Sequence, residues 1–130
     1  MTPREVFTRL IDGISARRWP ELADLYAEDA VVDMPFAIPQ PRRLHGRETV
    51  RTHFAAAARG PLRFEVHNVV VHETADPEVI IAEFDYHGRV APTGRKFTAA
   101  NVQVLRVREG RIVASRDYHN HAAIAAALTA

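Results

Sequence analysis

Apolar residues recur at helical spacing over the first part of the chain and at every second position over the second half. The first apolar stripe follows Thr2 and Pro3, a hydroxyl cap and the residue that is favoured at the first position of a helix. Its members lie on one helical face: Val6, Phe7, Leu10, Ile11 and Ile14. This spacing predicts an N-terminal helix with one buried face.

Shorter elements follow towards the middle of the chain. The sequence predicts a short helix over residues 20–26 and a short strand over residues 30–34. Residues 35–45 contain three prolines and no periodicity, so they are predicted to form a loop, and loops of this length in compact domains are often functional. Residues 47–59 regain helical spacing and are followed by a glycine and a proline, which predicts a third helix.

After residue 61 the apolar period changes from that of a helix to that of a strand. Strands are predicted at residues 62–73, 78–88, 95–108 and 111–119, followed by a short helix at residues 122–128. Helices followed by a run of strands are typical of an α+β domain. We therefore expect N-terminal helices packed on a curved, mostly antiparallel sheet of four to six strands, forming a cone with an internal pocket.

The alternation along the strands predicts which side chains face inwards. On the second of these strands, Phe84 and Tyr86 share a face with smaller apolar residues. On the third strand, Asn101 and Gln103 fall on the face that carries the larger apolar groups. Buried amides need hydrogen-bond partners, so these two are either satisfied by neighbours or offered to a ligand.

Candidate chemistry lies on the last predicted strand, where Val113, Ser115, Asp117 and His119 share a face. A carboxylate beside an imidazole suits proton transfer, because each group can move the pKa of the other towards neutrality. The alternative is structural: Asp117 pairs with a nearby arginine and His119 is exposed at the strand end. The pattern alone leaves both interpretations open.

Composition limits the classes of function. The 130 residues suit one domain, and 47% hydrophobic with 25% charged residues is a globular composition. The chain has no cysteine, and a net charge of +1 offers no electrostatic footprint for nucleic acid or an anionic membrane. The N-terminal residues lack the apolar stretch of a secretory signal, so a cytoplasmic location is expected. His119 and His121 alone are too few ligands for a metal site, and we expect neither metal nor cofactor.

Several runs of sequence resemble a known superfamily. Residues 25–35, 45–48, 91–95, 108–113 and 116–118 are similar to the nuclear-transport-factor-2-like (NTF2-like) superfamily. The spacing is especially similar to that of the SnoaL-like polyketide cyclases and the limonene-epoxide hydrolases, and the superfamily also includes the ketosteroid isomerases. The resemblance implies one SnoaL-like domain over residues 1–130. It also implies a deep apolar pocket, a homodimer through the outer face of the sheet, and acid/base chemistry without a cofactor.

The resemblance also implies roles for individual residues. Asp117 stands where the epoxide hydrolases have a catalytic aspartate, and Asp33 matches a polar residue that helps to hold their reactive water. Phe84 and Tyr86 occupy the positions of the arginine and second aspartate that those hydrolases need. Standard epoxide hydrolysis is therefore not expected.

The comparison with the ketosteroid isomerases also breaks down at specific positions. Their general base corresponds to Met34, and the acid of their oxyanion hole falls near Gln103. A steroid isomerase of the standard type is therefore not expected, although a Gln103 amide or a Tyr86 hydroxyl could still donate to an oxyanion.

The leading hypothesis is a cofactor-independent enzyme of cyclase, isomerase, dehydratase or hydrolase type, acting on a small hydrophobic carbonyl or polyketide-like metabolite. Asp117 is predicted to transfer the proton. Asp33 and His119 are expected to converge with it on one cavity, where either of them would tune its pKa. The predicted substrate-binding residues are Tyr86, Phe84, Asn101, Gln103, Met34, Trp19 and Phe54. Two alternatives remain: a non-catalytic domain that binds or carries a small apolar molecule, and a structural dimerisation domain whose pocket is filled by Phe36, Phe54, Phe84 and Trp19.

Overall fold

The computed structural model describes residues 1–129. In this part of the chain it contains four α-helices, a short 3₁₀ helix and one six-stranded sheet. The helices are α1 (Pro3–Ser15), α2 (Trp19–Leu22), the 3₁₀ helix (Ala23–Leu25), α3 (Arg47–Arg59) and α4 (His121–Thr129). The strands are β1 (Tyr26–Met34), β2 (Arg42–His45), β3 (Leu62–Glu73), β4 (Val79–Val90), β5 (Lys96–Arg108) and β6 (Arg111–His119).

Helix α1 begins with a capping box. The Thr2 hydroxyl accepts a hydrogen bond from the Glu5 backbone N–H, and the Glu5 carboxylate accepts one from the Thr2 backbone N–H. The apolar residues of the predicted stripe are all buried in the helix. Both the start of this helix and its buried face are confirmed.

The second predicted helix is shorter than expected. Helix α2 ends at Leu22, the chain continues as a 3₁₀ turn, and Tyr26 already belongs to β1, where it pairs with Ile112. The prediction that residues 20–26 form one helix was therefore wrong at its C-terminal end. Tyr26 has an extended backbone: its N–H donates to the Ala23 carbonyl at the end of the 3₁₀ turn, and its own carbonyl accepts a hydrogen bond from Arg47 Nε, so no further helical turn forms.

The sheet has the strand order β2-β1-β6-β5-β4-β3. Strands β3 to β6 form the predicted antiparallel meander, whereas β1 pairs with β6 in parallel. Strand β2 lies inside the predicted loop of residues 35–45 and pairs antiparallel with β1. That loop prediction was wrong over these four residues, because a short edge strand with a single apolar residue, Leu44, carries no readable period. The α+β architecture is confirmed.

The inner face of the sheet packs against the helices. On β4 and β5 the predicted alternation holds: Ile80, Ala82, Phe84, Tyr86, Ala99, Asn101, Gln103 and Leu105 are all buried. On β6 the register shifts between the pairs Arg106–Ala114 and Val107–Ile112. Because of this bulge, Ile112 is buried in the core while Val113 is only half-buried. The shared face predicted for β6 therefore begins at Ser115.

Helix α4 lies against β5 and begins directly after β6. The Asn120 side chain accepts a hydrogen bond from the Ala123 backbone N–H, as an N-cap residue does. None of the helices in residues 1–129 is long and apolar enough to cross a bilayer.

Candidate active site

A cavity of about 260 Å³ lies between the inner face of the sheet and helices α1, α2, α3 and α4. It is lined by Leu10, Ile14, Trp19, Tyr26, Val32, Met34, Leu44, Val50, His53, Phe54, Ala57, Leu62, Phe64, Tyr86, Gln103, Asp117, His119, His121 and Ile124. The lining is mainly apolar. An open cavity contradicts the alternative in which aromatic side chains fill the pocket, and Phe36, one of the residues proposed to fill it, is 62% exposed.

Asp117 lies opposite Gln103 in the pairing of β5 and β6. The Ser115 hydroxyl donates a hydrogen bond to Asp117 Oδ1 at 2.5 Å and accepts one from Gln103 Nε2 at 3.0 Å. Within the described residues, no arginine or lysine forms an ion pair with Asp117, and its Oδ2 accepts no hydrogen bond. The structural alternative of an Asp117–arginine pair is therefore not present, and one carboxylate oxygen is available to a ligand.

Burial raises the pKa of Asp117 to about 6. The hydrogen bond from Ser115 opposes this rise, and repulsion from Asp33 adds to it. Part of the surface of the Asp117 side chain remains accessible because it lines the cavity. Protein atoms nevertheless surround the carboxyl group and remove most of its hydration. A carboxyl group with such a pKa can exchange a proton close to neutral pH.

Tyr26 and Tyr86 lie close enough to Asp117 for its charge to change their pKa values. Burial, and then the negative charge of Asp117, raise the pKa of both Tyr26 and Tyr86. Both phenols therefore remain protonated and can donate a hydrogen bond. The cavity thus combines one proton acceptor with two neutral donors.

His119 lines the cavity, as predicted, but is not tuned towards neutrality. Its ring contacts Phe84 and Tyr86 edge-on, with centroids 5.8 and 5.6 Å apart. Burial, followed by repulsion from His121 and His53, lowers the pKa of His119 to about 3. The imidazole is therefore neutral, and its Nε2 is buried without a hydrogen-bond partner within residues 1–129. The expected mutual tuning of Asp117 and His119 does not occur.

Asp33 does not share the cavity with Asp117, so the expected convergence of these two carboxylates was wrong. Its carboxylate accepts a hydrogen bond from Arg43 Nε at 2.6 Å and forms an ion pair there. Asp33 pairs in register with Arg116, the residue that precedes Asp117 on β6. Because side chains alternate along a strand, Asp33 and Arg116 lie on the face of the sheet opposite to that of Asp117. Alternation along β1 places its neighbours, Val32 and Met34, in the cavity instead.

The predicted substrate-binding residues divide into two groups. Five of them line the cavity: Tyr86, Gln103, Met34, Trp19 and Phe54. Phe84 and Asn101 are buried but do not line it. Phe84 packs on Phe7 with ring centroids 5.6 Å apart, and Asn101 Oδ1 accepts a hydrogen bond from the Asn120 backbone N–H. These two support the core and the turn into α4, so their predicted ligand contacts are not in place.

Four further cavity residues were not predicted from the sequence: His53, His121, Tyr26 and Phe64. His53 could have been found, because it follows Val50 by three positions and so lies on the apolar face of α3. Tyr26 was missed because it was assigned to a helix. The three histidines form no metal site, since no group of three or more suitable ligands occurs within residues 1–129.

Comparisons with known proteins agree with this architecture. A model of the SnoaL-like domain matches residues 7–115. An uncharacterised PhzA/B-like protein of Pseudomonas aeruginosa is 34% identical over 113 residues, covering 86% of this chain and 77% of that protein.

Solved structures are similar over almost the whole chain. A Bacillus subtilis protein with the provisional name of isomerase is 25% identical, with a TM-score of 0.89 over 97% of this chain and 91% of its own. A Pseudomonas putida protein provisionally named as a polyketide cyclase is 21% identical, with a TM-score of 0.80 over 95% of this chain and 96% of its own. At 21% identity, the similarity to the Pseudomonas putida protein shows only that the two chains share a fold.

Proposed function

This chain belongs to the SnoaL-like domain family, and from that membership and the geometry of the cavity we propose that it is a cofactor-independent acid/base enzyme. Its fold is the NTF2-like, ketosteroid isomerase-like one. The proposed substrate is a small hydrophobic carbonyl or polyketide-like metabolite, and the reaction is of cyclase, isomerase, dehydratase or hydrolase type. The observation that supports this most is Asp117, a carboxylate without a cationic partner in an apolar cavity.

In the proposed mechanism, Asp117 removes a proton from the carbon next to the substrate carbonyl. The electron pair of the broken C–H bond moves towards the carbonyl oxygen, and the proton resides on Asp117. Return of that proton to another carbon gives an isomer, whereas attack of the carbanion on a second carbonyl closes a ring. Desolvation makes Asp117 a stronger base than an aspartate in water.

The other cavity residues have distinct proposed roles. Tyr86 or Tyr26 donates a hydrogen bond to the developing oxyanion. Neutral His119 packs edge-on against Tyr86 and fixes its ring. Gln103 holds Ser115, which orients Asp117. The apolar walls, which include Trp19, Phe54 and Met34, bind the substrate body and exclude water.

A non-catalytic domain that binds or carries a small hydrophobic molecule is the second candidate. It is favoured by the composition of the cavity, in which Asp117 is the only carboxylate among the lining residues. The two candidates differ in turnover: the enzyme converts its ligand, and the carrier releases it unchanged.

The test is exchange of α-protons of small cyclic ketones in D₂O, followed by NMR for the wild type and for Asp117→Asn. We expect the exchange rate of Asp117→Asn to be at least about 100-fold lower than that of the wild type, because general acid/base catalysis contributes factors of this order. Asp29→Asn is the matched control, because Asp29 is exposed on β1 and lies outside the cavity. Equal exchange by the wild type and Asp117→Asn would exclude Asp117 as the proton acceptor.

We further propose that the chain acts as a single domain over residues 1–130 and dimerises through the outer face of the sheet. Val70 and Val102 are 49% and 36% exposed on that face, and both are register partners of Glu83. Val102→Lys should shift a dimer towards the monomer in light scattering coupled to size exclusion. The expected cytoplasmic location remains a prediction.

A further inference from the structure

We propose that the substrate of the cavity is a small organic cation of one or two rings: the carbonyl compound proposed above carries a protonated amine, or reacts as its iminium ion, and that nitrogen pairs with Asp117. This inference deepens the proposed function and rests on it in one respect, because it takes Asp117 as the residue that contacts the substrate. It is supported by the charge, the aromatic lining and the size of the cavity.

In the part of the chain that the structure describes, the residues that line the cavity supply a negative charge and no positive charge. Among the lining residues within positions 1–129 there is no arginine or lysine, while Asp117 supplies a carboxylate. The three lining histidines are neutral at pH 7, because burial lowers the pKa of each. Arg42, the cation that repels His53 and His121, is exposed and does not line the cavity. An anionic ligand would therefore meet a carboxylate without any compensating cation.

A cationic nitrogen would instead complete an ion pair that the protein leaves open. A buried charge without a partner is destabilising, and a ligand ammonium group would remove that cost. Asp117 Oδ1 is held by Ser115, whereas Oδ2 accepts no hydrogen bond within the described residues. One N–H donor of the ligand can therefore bind Oδ2 without displacing Ser115.

The aromatic lining adds attraction for a cation. Five aromatic side chains line the cavity in two groups, one on the helices and β1 and one on β3 and β4. In the first group, Phe54 contacts both Trp19 and Tyr26, with each pair of centroids 5.9 Å apart. In the second, Phe64 and Tyr86 lie 4.5 Å apart. The faces of aromatic rings attract cations, most strongly where water is excluded.

The size of the cavity limits the ligand. A cavity of roughly 150 Å³ in another protein is large enough to bind benzene, and this one measures about 260 Å³. A ring with a substituent, or two fused rings, would fill it. A four-ring compound would have to extend through the mouth.

The nature of the reacting group also fits a cation. When Asp117 takes the α-proton of an iminium ion, the electron pair of the C–H bond forms a C=C bond and the nitrogen regains its lone pair. The products are a neutral enamine and a neutral carboxylic acid, so both charges disappear in one step. With a neutral ketone the same step leaves an oxyanion, for which the lining described above offers the two tyrosines but no arginine or lysine.

The test uses three probes of similar size and different charge: benzylamine, benzyl alcohol and benzoate. Trp19 lines the cavity and is the only tryptophan of the chain, so its fluorescence and its indole N–H resonance report binding at this site. At pH 7.5 benzylamine is protonated and Asp117 is ionised, since its pKa is about 6. The groups that face Asp117 are Tyr26 on β1, Tyr86 on β4, Gln103 on β5 and Ser115 on β6.

The expected result is that benzylamine binds at least about tenfold more tightly than benzyl alcohol, as a hydrogen bond to a charged group allows. Benzoate should not bind. Asp117→Asn should weaken the binding of benzylamine until its Kd equals that of benzyl alcohol. The Kd of benzyl alcohol should change by no more than about twofold, which would demonstrate an intact cavity. Asp29→Asn should keep the preference.

Equal or tighter binding of benzyl alcohol, a preference for the amine that survives Asp117→Asn, or no benzylamine binding at millimolar concentration would overturn the inference. If benzylamine does not bind more tightly than benzyl alcohol while Asp117→Asn still abolishes ketone exchange, the proposed function is supported and the inference of a cationic substrate is wrong. If the preference is present without any turnover, the chain is a carrier of organic cations and the catalytic proposal fails.

Discussion

Ser115 donates a hydrogen bond to Asp117 at 2.5 Å, from two positions earlier on the same face of the last strand. Gln103 in turn donates to Ser115 across the strand pair, so that an amide, a hydroxyl and a carboxylate form one chain. This chain orients Asp117 without neutralising it. Among the lining residues of positions 1–129, Asp117 is the one acidic group, and its pKa is about 6.

Ser115→Ala should raise the pKa of Asp117, because the hydrogen bond from Ser115 favours the charged form. It should also lower the free energy of unfolding by about 1–3 kcal/mol, since Gln103 Nε2 loses its buried acceptor. A carboxyl NMR titration and urea unfolding measure the two effects. Ser115→Thr keeps the hydroxyl and should retain the wild-type pKa; an unchanged pKa in the alanine variant would contradict the account.

Asp117→Asn should stabilise the fold at neutral pH. The pKa of Asp117 rises from 3.8 to about 6 on folding, so the folded chain holds its proton more tightly than the unfolded chain. The wild type therefore loses stability as the pH rises through this window, and the loss is complete above it. The asparagine variant lacks this loss and should gain about 1–3 kcal/mol at pH 7.5 relative to the wild type.

This gain should shrink to about 0.5 kcal/mol at pH 4 and disappear below about pH 3, where Asp117 is protonated in both states. The comparison between variant and wild type is needed because buried histidines also titrate, and their protonation destabilises the fold at low pH. Urea unfolding at pH 4 and pH 7.5 measures the difference. A variant that is less stable than the wild type at neutral pH would mean that Asp117 has a cationic partner after all.

Tyr86→Phe should lower kcat about 10- to 1,000-fold in the proposed reaction, because it removes a donor aimed at developing negative charge. The ring, and therefore its contact with Phe64, is kept. Turnover and thermal unfolding should be measured together. Tyr118→Phe is the control, since Tyr118 does not line the cavity. Equal losses in both variants would point to a general structural effect.

Asp33→Asn should lower the pKa of Asp117, because the repulsion that Asp33 exerts is removed. The ion pair with Arg43 is partly exposed, so its loss should cost at most about 1 kcal/mol. The carboxyl titration of Asp117 measures this shift. A rise in the pKa of Asp117 would contradict the repulsion that Asp33 exerts on it.

Gly88→Ala should destabilise the wall of the cavity. A Cβ atom at Gly88 would overlap with the ring of Phe97, which also contacts Phe64. Overpacking of this kind costs about 1–3 kcal/mol. Gly60→Ala is the matched control, because its Cβ would meet no atom closer than 3.5 Å. Thermal unfolding of the two variants distinguishes them, and equal stability would exclude the close packing of Phe97 on Gly88.

The helices and the meander could be predicted from the sequence because long elements repeat their period many times. Helix α1 and strands β4 and β5 show this best, and there the predicted faces match the buried residues. Strand β2 could not be predicted, since Leu44 is its only apolar residue and its pairing with β1 is a tertiary interaction.

The site could be predicted only where alternation along a strand was read correctly. Asp117 follows Ser115 by two positions and shares its face, so its inward direction was available from the sequence. Asp33 was placed by resemblance alone, although the apolar residues on either side of it already indicated an outward direction. The pKa values of Asp117 and His119 depend on burial by several elements, which no local pattern contains.

The pH dependence of kcat/KM for α-proton exchange in the wild type tests most directly whether Asp117 is the general base. If Asp117 is the general base, the rate should rise with pH, reach half of its maximum near pH 6, and then stay level. Asp117→Asn should remove both the rate and its dependence on pH. A rate that is independent of pH between 5 and 7, or one that persists in the asparagine variant, would contradict a catalytic role for Asp117.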